Sequence, residues 1–324
     1  MSSHRRGGTT APAPDDLRAR SLPPVVERLV EDYRSAFACR DRYMWGWLDA
    51  VLPEFRLDSV PGRYEDVADE GRLLVSVYVT ALNDLSDRRS DYTAFEAAAR
   101  VPREGPPEPG SPADEPAVRV AADAWAALVD RLADAPNFEY YRATLHEALA
   151  GSAEAQRHSV AVADDPESAD YDECLRAQSS TMCMDALATV DLICSPGVDP
   201  NDEPELREAI ELVEPLGRIG NWLTTWEREL SEGDLANGVV VRAVDDGVVS
   251  SSDVFRARDD PSYRPLFAER IREASVERTI GRERARRLER ACEREWETTS
   301  IDLDGFVRAM ETVWSYHEAS AGHK

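Results

Sequence analysis

The chain of 324 residues carries 38 basic and 63 acidic side chains, a formal net charge of −25. That balance argues against a duplex nucleic-acid partner and an anionic membrane surface, both of which need basic neutralisation. No run of 18 or more apolar residues offers a membrane span or stable membrane insertion, and the N-terminus lacks the hydrophobic segment of a secretory signal. Five scattered cysteines without a Cys-x-x-Cys pair indicate neither a disulfide framework nor a zinc knuckle, so a reducing cytoplasm is the expected compartment.

Residues 1–17 read as a disordered tail and residues 18–320 as one helical domain. From Pro23 and Pro24 a helix is expected to about residue 38, with Val25, Leu29, Tyr33 and Phe37 recurring every four residues. A second helix, about 41–52, holds Tyr43, Met44, Trp45 and Trp47 and ends at Pro53. Residues 66–92 read as a largely apolar helix with an acidic end. Its run LLVSVYVTAL is β-branched enough for a strand, but it is long and no turn signal interrupts it. Asp84, Asp87 and Asp91 then share one helical face. Their mutual repulsion costs about a few tenths of a kcal/mol per pair, which either a cation or the neighbouring Arg88 and Arg89 would relieve.

A proline-rich loop is expected over 102–117, then helices near 118–133 and 138–150, with His146 in a structural role. Residues 168–194 read as a further helical segment. Its middle, Ser179, Ser180, Thr181, Met182, Cys183 and Met184, either lets helices pack closely or leaves room for a ligand. Arg176 needs an anion if it is buried and none if it faces solvent. A helix over 205–233 follows, with a kink at Pro215, then a short valine-rich segment at 238–249 and a polar, mobile rim at 250–265. A long, salt-laced solvated helix is expected over 267–296 and a last helix over 303–318. Nearly every segment reads as helix, so the fold class is all-α.

Within the helix at 205–233, Asn221, Thr225 and Glu229 stand at i, i+4 and i+8 and share one face. An amide oxygen, a hydroxyl and a carboxylate form the all-oxygen set that hard cations such as Mg²⁺ prefer. An ordinary polar helix face is the alternative on spacing alone. The stretch N-W-L-T-T-W-E-R-E resembles the second metal motif of class I terpene synthases, Asn/Asp-Asp-x-x-Ser/Thr-x-x-x-Glu, with Trp222 where the family often has Asp. Gly233, Asp234, Asn237 and Val239 resemble the family's continuation.

The resemblance implies a single-domain helical bundle around a central active-site cavity, covering roughly residues 20–318. It also implies a lyase that ionises farnesyl or geranylgeranyl diphosphate with three Mg²⁺ ions and cyclises or rearranges the cation, releasing diphosphate. A homodimer is common in the family. By the same resemblance Arg176 is the diphosphate sensor, with Ser180 in the helix break that follows it. Asn83-Asp84-Leu85-Ser86-Asp87 stands at the Asp-rich first motif, with Asn83 in a normally acidic position and Asp84 and Asp87 as metal ligands. The terminal Arg-Tyr pair is not evident. Implied cavity-lining residues are Trp45, Trp47, Tyr78, Met182, Met184, Trp222, Phe306 and Trp314. A weakened or non-enzymatic prenyl-diphosphate-binding protein and a chain-elongating prenyltransferase are the alternatives.

Overall fold

The hydrophobic patterns close into fifteen α-helices among the described residues of the computed structural model, which are 11–88, 91–111 and 114–323. No strand occurs among them, so the all-α expectation holds. The chain opens with α1 (Pro14–Ala19), α2 (Pro24–Phe37) and α3 (Arg42–Val51). The tail reading does not hold for residues 14–17, and residues 1–10 lie outside the described residues. Leu17 of α1 is buried. Its backbone lies so close to α3 that a Cβ on Gly46 would come within 1.9 Å of the Leu17 carbonyl oxygen.

The centre of the molecule is α4 (Glu65–Asn83), which packs on α2, α3, α6, α7 and α9. Leu73, Leu74, Val75, Val77 and Tyr78 are all at most 1% exposed, so neighbours cover the helix on every side. Burial at roughly 1.5–3 kcal/mol per large apolar side chain outweighs the β-propensity of its valines, a difference of about 1 kcal/mol at most per residue. A π-helical turn, Asp84–Arg88, ends it, and Asp91 caps α5 (Tyr92–Glu104) by accepting from the Ala94 amide. The wide turn takes Asp84, Asp87 and Asp91 off the common face expected for them. Arg89 falls outside the described residues.

After the proline-rich loop come α6 (Pro116–Leu132) and α7 (Phe138–Asp164), which runs well past the expected end at 150. The segment at 168–194 is two helices, α8 (Tyr171–Gln178) and α9 (Met184–Ile193). A 3₁₀ turn, Ser179–Met182, joins them through Cys183, held in the left-handed region at φ 52°.

The longest helix, α10 (Glu203–Glu232), joins two hydrophobic cores. Ala209, Val213 and Leu216 of its first half belong to the core around α4. Ile219, Trp222, Trp226 and Leu230 of its second half belong to another, built with α11 (Gly238–Asp245), α13 (Arg264–Glu273) and α14 (Val276–Cys292). The polar stretch at 250–265 is not a loop. Ser250 and Asp253 form a reciprocal capping box that starts α12 (Ser251–Asp259), and Tyr263 donates to Asp253 at 2.7 Å. The long charged helix is broken at Ser275, φ 57°, into α13 and α14. Its Arg284 is buried, donates to the Met310 carbonyl at 2.8 Å and lies over Trp314, so this arginine is not part of a solvated face. The chain ends with α15 (Leu303–Ala319), packed on α10.

Candidate functional site

The side chains that α4 and α10 turn toward a shared cavity become polar toward the C-terminal end of each helix. On α4 and its π turn they run through Val79 and Asn83 to Asp87, and on α10 through Gly217 and Asn221 to Thr225 and Glu229. The cavity measures about 450 Å³, within the range of small-molecule sites. Trp47, Phe55, Met182, Met184, Leu187 and Val313 supply apolar wall.

All three members of the second motif line this cavity. The Thr225 hydroxyl donates to the Asn221 carbonyl at 2.8 Å, which leaves its lone pairs for another partner. Glu229 accepts from Asn237 at 2.6 Å and from Arg228 at 3.3 Å. Asn237 also caps α11 by accepting from the Val239 amide, so one side chain fixes both the helix start and the carboxylate. Trp222 fills the second core. Burial in that core suits a large apolar residue at that place in the motif, and the ring lies so close to Gly238 that a Cβ there would come within 2.3 Å of it.

The first motif divides its duties differently from expectation. Asp84 is fully buried and does not line the cavity. It forms an ion pair with Arg40 and accepts from the Tyr33 hydroxyl. Burial opposes the Arg40 charge, but Asp84 outweighs it and the pKa of Arg40 rises. Burial and Asp84 together push Tyr33 well up. Asn83 lines the cavity, but its Oδ1 accepts from Arg40 at 3.0 Å while its Nδ2 donates to Asp87 at 2.6 Å and to Gln156 at 3.2 Å. Gln156 in turn donates to Asp87 at 2.6 Å. Asp87 is thus the carboxylate that this motif presents to the cavity.

Asp87, Glu229 and Asp234 surround one interior region with Arg218 among them. Burial, then Asp234, hold the Asp87 carboxyl well above the usual range, and burial with Glu229 raises Asp234 to about 6. Burial lowers the Arg218 pKa, and Glu229, Asp87 and Asp234 offset part of that. Crowded carboxylates in low dielectric favour an added cation. Among the described residues no three His, Cys, Asp or Glu side chains group to hold a metal, and a metal on this face would need the Asn221 and Thr225 oxygens beside Glu229. That donor set, with Glu229 as its charge, fits Mg²⁺.

Arg176 is exposed and takes no part in the cavity wall. Ser180 lies off the wall too, its hydroxyl donating to Glu214 at 3.1 Å, while Thr181 to Met184 of the helix break do line the cavity. Of the expected lining residues, Trp47, Met182 and Met184 are in place. Trp45, Tyr78, Trp222, Phe306 and Trp314 face other packing. Sequence reading missed Phe55, His317 and Arg218. Arg218 was findable, because it stands three residues before Asn221 on the same helical face. Near the C-terminus His317 lines the cavity beside Gly220 and edge-on to Trp47, whereas Arg308 is exposed on an ion pair with Asp304.

This helical architecture is the terpene synthase fold. T181N cucumene synthase superposes with a TM-score of 0.53 at 21% identity, over 94% of this chain and 96% of that one. Wild-type cucumene synthase aligns at a TM-score of 0.46 and 20% identity, over 96% and 98% of the two chains. No protein-family model and no curated protein matches the sequence.

Proposed function

We propose that the chain is a Mg²⁺-dependent class I terpene synthase acting on farnesyl or geranylgeranyl diphosphate. It ionises the allylic diphosphate and directs the cation to a cyclised or rearranged hydrocarbon or alcohol, with diphosphate released. The observation that supports this most is that Asn221, Thr225 and Glu229 face the same cavity as Asp87, and that Trp47, Leu48, Val51, Leu52 and Phe55 give that cavity an apolar wall. Asn221, Thr225 and Glu229 would hold Mg²⁺ on one side, with Asp87 opposite. The bound ions, three in the family resembled, supply the positive charge that stabilises a departing diphosphate.

The chain's own residues do the remaining work. Asn237 keeps the Glu229 carboxylate turned to the cavity. Trp47 puts an aromatic ring on the wall near a cation, and Phe55, Met182, Leu187 and Val313 help exclude the water that would quench it early. No helix among the described residues is long and apolar enough to cross a membrane.

The test is incubation of the purified protein with Mg²⁺ and, separately, C10, C15 and C20 allylic diphosphates, with volatiles and released diphosphate measured. A terpene above the boiled control is expected with the C15 or C20 substrate, and Glu229→Gln should remove most of it. Neither product nor diphosphate with any substrate would sink the reading. One observation favours a second reading, a prenyl-diphosphate binder with weak turnover: the Asn83 amide oxygen is already engaged by Arg40. Tight binding of a prenyl diphosphate without diphosphate release would select it.

A further inference from the structure

We infer that Arg218 grips the anionic diphosphate end of the substrate, so that this chain places its anion-binding arginine on the metal-motif helix α10 and not on α8. The inference rests on the prenyl-diphosphate reading above. Each arginine near the cavity can be judged by its partners. Arg40 is neutralised by Asp84, and Arg228 by Glu229 and Glu232. Arg176 is exposed and off the wall. Arg218 lines the cavity and has no ion pair with a carboxylate among the described residues.

Its hydrogen-bond partners are neutral. One terminal nitrogen donates to the Gln178 amide oxygen at 3.1 Å, and the other lies 3.5 Å from that of Asn221. The Nε–H is buried with no partner. Arg218 is half-buried, and a guanidinium with one donor shut off from water is completed by an anion, whose phosphoryl oxygens its planar fork matches. The plane is held in place before any ligand arrives. It lies 5.1 Å from the centroid of the Trp222 ring, and Gln178 is fully buried.

Asp87, Glu229 and Asp234 stabilise the Arg218 charge through space without a close pair. If Asp87 and Glu229 engage Mg²⁺, the guanidinium remains for the anion, so anion binding should depend strongly on Mg²⁺. Gln178 is the last residue of α8, directly before the helix break. Arg218 therefore links the anion end of the cavity to the element that forms part of its wall.

The experiment is calorimetric titration of inorganic pyrophosphate into the full-length protein with Mg²⁺, and again with the metal chelated. The wild type should bind only with Mg²⁺. Arg218→Gln should weaken binding by roughly tenfold to a hundredfold, the range for hydrogen bonds to a charged group. Arg218→Lys, which keeps the charge but loses the fork, should fall between, and Arg176→Gln should match the wild type. Circular dichroism checks the fold of each variant. If the glutamine variant does not fold, the lysine variant decides alone: weaker binding supports the inference and unchanged binding overturns it. Wild-type affinity in a folded Arg218→Gln, or a loss that follows Arg176, overturns the inference while leaving the proposed function standing. A wild-type protein that binds no pyrophosphate with Mg²⁺ removes the functional reading itself.

Discussion

Glu214 is buried and both of its carboxyl oxygens are used. One accepts from the Met184 amide at 3.0 Å and the other from the Ser180 hydroxyl at 3.1 Å, so the side chain ties α10 to the helix break and caps α9. Burial pushes its pKa to about 7, with Asp185 adding to the rise and the two hydrogen bonds opposing it. The unfolded chain, with an ordinary carboxyl, loses this proton first. The associated stability is therefore fully present at low pH, declines as pH rises toward 7, and levels off above it. Urea denaturation at several pH values should show that decline, and Glu214→Gln should flatten it. Some slope should remain, because burial also raises Asp191 to about 6 despite its pair with Arg72. Glu214→Ala should cost about 2–3 kcal/mol, since it orphans the Met184 amide. Asn83→Asp makes a second residue-level prediction. Its amide now bridges to Asp87, and an aspartate would set two carboxylates together. We expect a lower melting temperature without metal, recovery with Mg²⁺, and activity kept or raised. A variant as stable as wild type without metal would show that the bridge is unimportant.

At the level of elements, Gly46 decides whether α1 docks. A methyl there meets the Leu17 carbonyl at 1.9 Å, a backbone contact that no side-chain rotation relieves. Gly46→Ala should cost roughly 1–3 kcal/mol, the usual range for overpacking, and should speed proteolysis near residue 17. Unchanged cleavage would mean that α1 is not held by this contact. The helices themselves were legible because 3.6-residue periodicity reports burial: α2, α10 and α15 lie close to where it puts them, and α4 starts there but ends at Asn83, short of the expected 92. The breaks were not. A π turn after Asn83 and left-handed residues at Cys183 and Ser275 carry no glycine or proline to announce them, and tertiary contacts impose them. The capping box at Ser250 was written in the sequence and hidden by the polar composition around it. The same division holds at the site. The four-residue spacing of Asn221, Thr225 and Glu229 survived folding, whereas Asp84 was drawn away by Arg40, a partner 44 residues distant whose approach no local pattern encodes.

For the molecule as a whole, the proposed function gives Mg²⁺ two ways to act on a native state of net charge −25, general screening and specific binding at the carboxylates around the cavity. The two are separable. Screening acts over the whole surface and depends on ionic strength, so sodium chloride at matched ionic strength should reproduce it. Binding at the proposed site would require Glu229 and should be strengthened by pyrophosphate. Because α10 runs through both hydrophobic cores, a ligand held on its face resists the separation of either one. A ligand at about 100 times its dissociation constant adds about 2.7 kcal/mol to the native state. For a chain of this length that corresponds to a rise in melting temperature of roughly 5 °C. We expect a rise of that order with Mg²⁺ and pyrophosphate together, little with sodium chloride and pyrophosphate, and none beyond the salt effect in Glu229→Gln. An equal rise in Glu229→Gln would place the ligand away from Asn221, Thr225 and Glu229, and the metal assignment of this helix face would be lost.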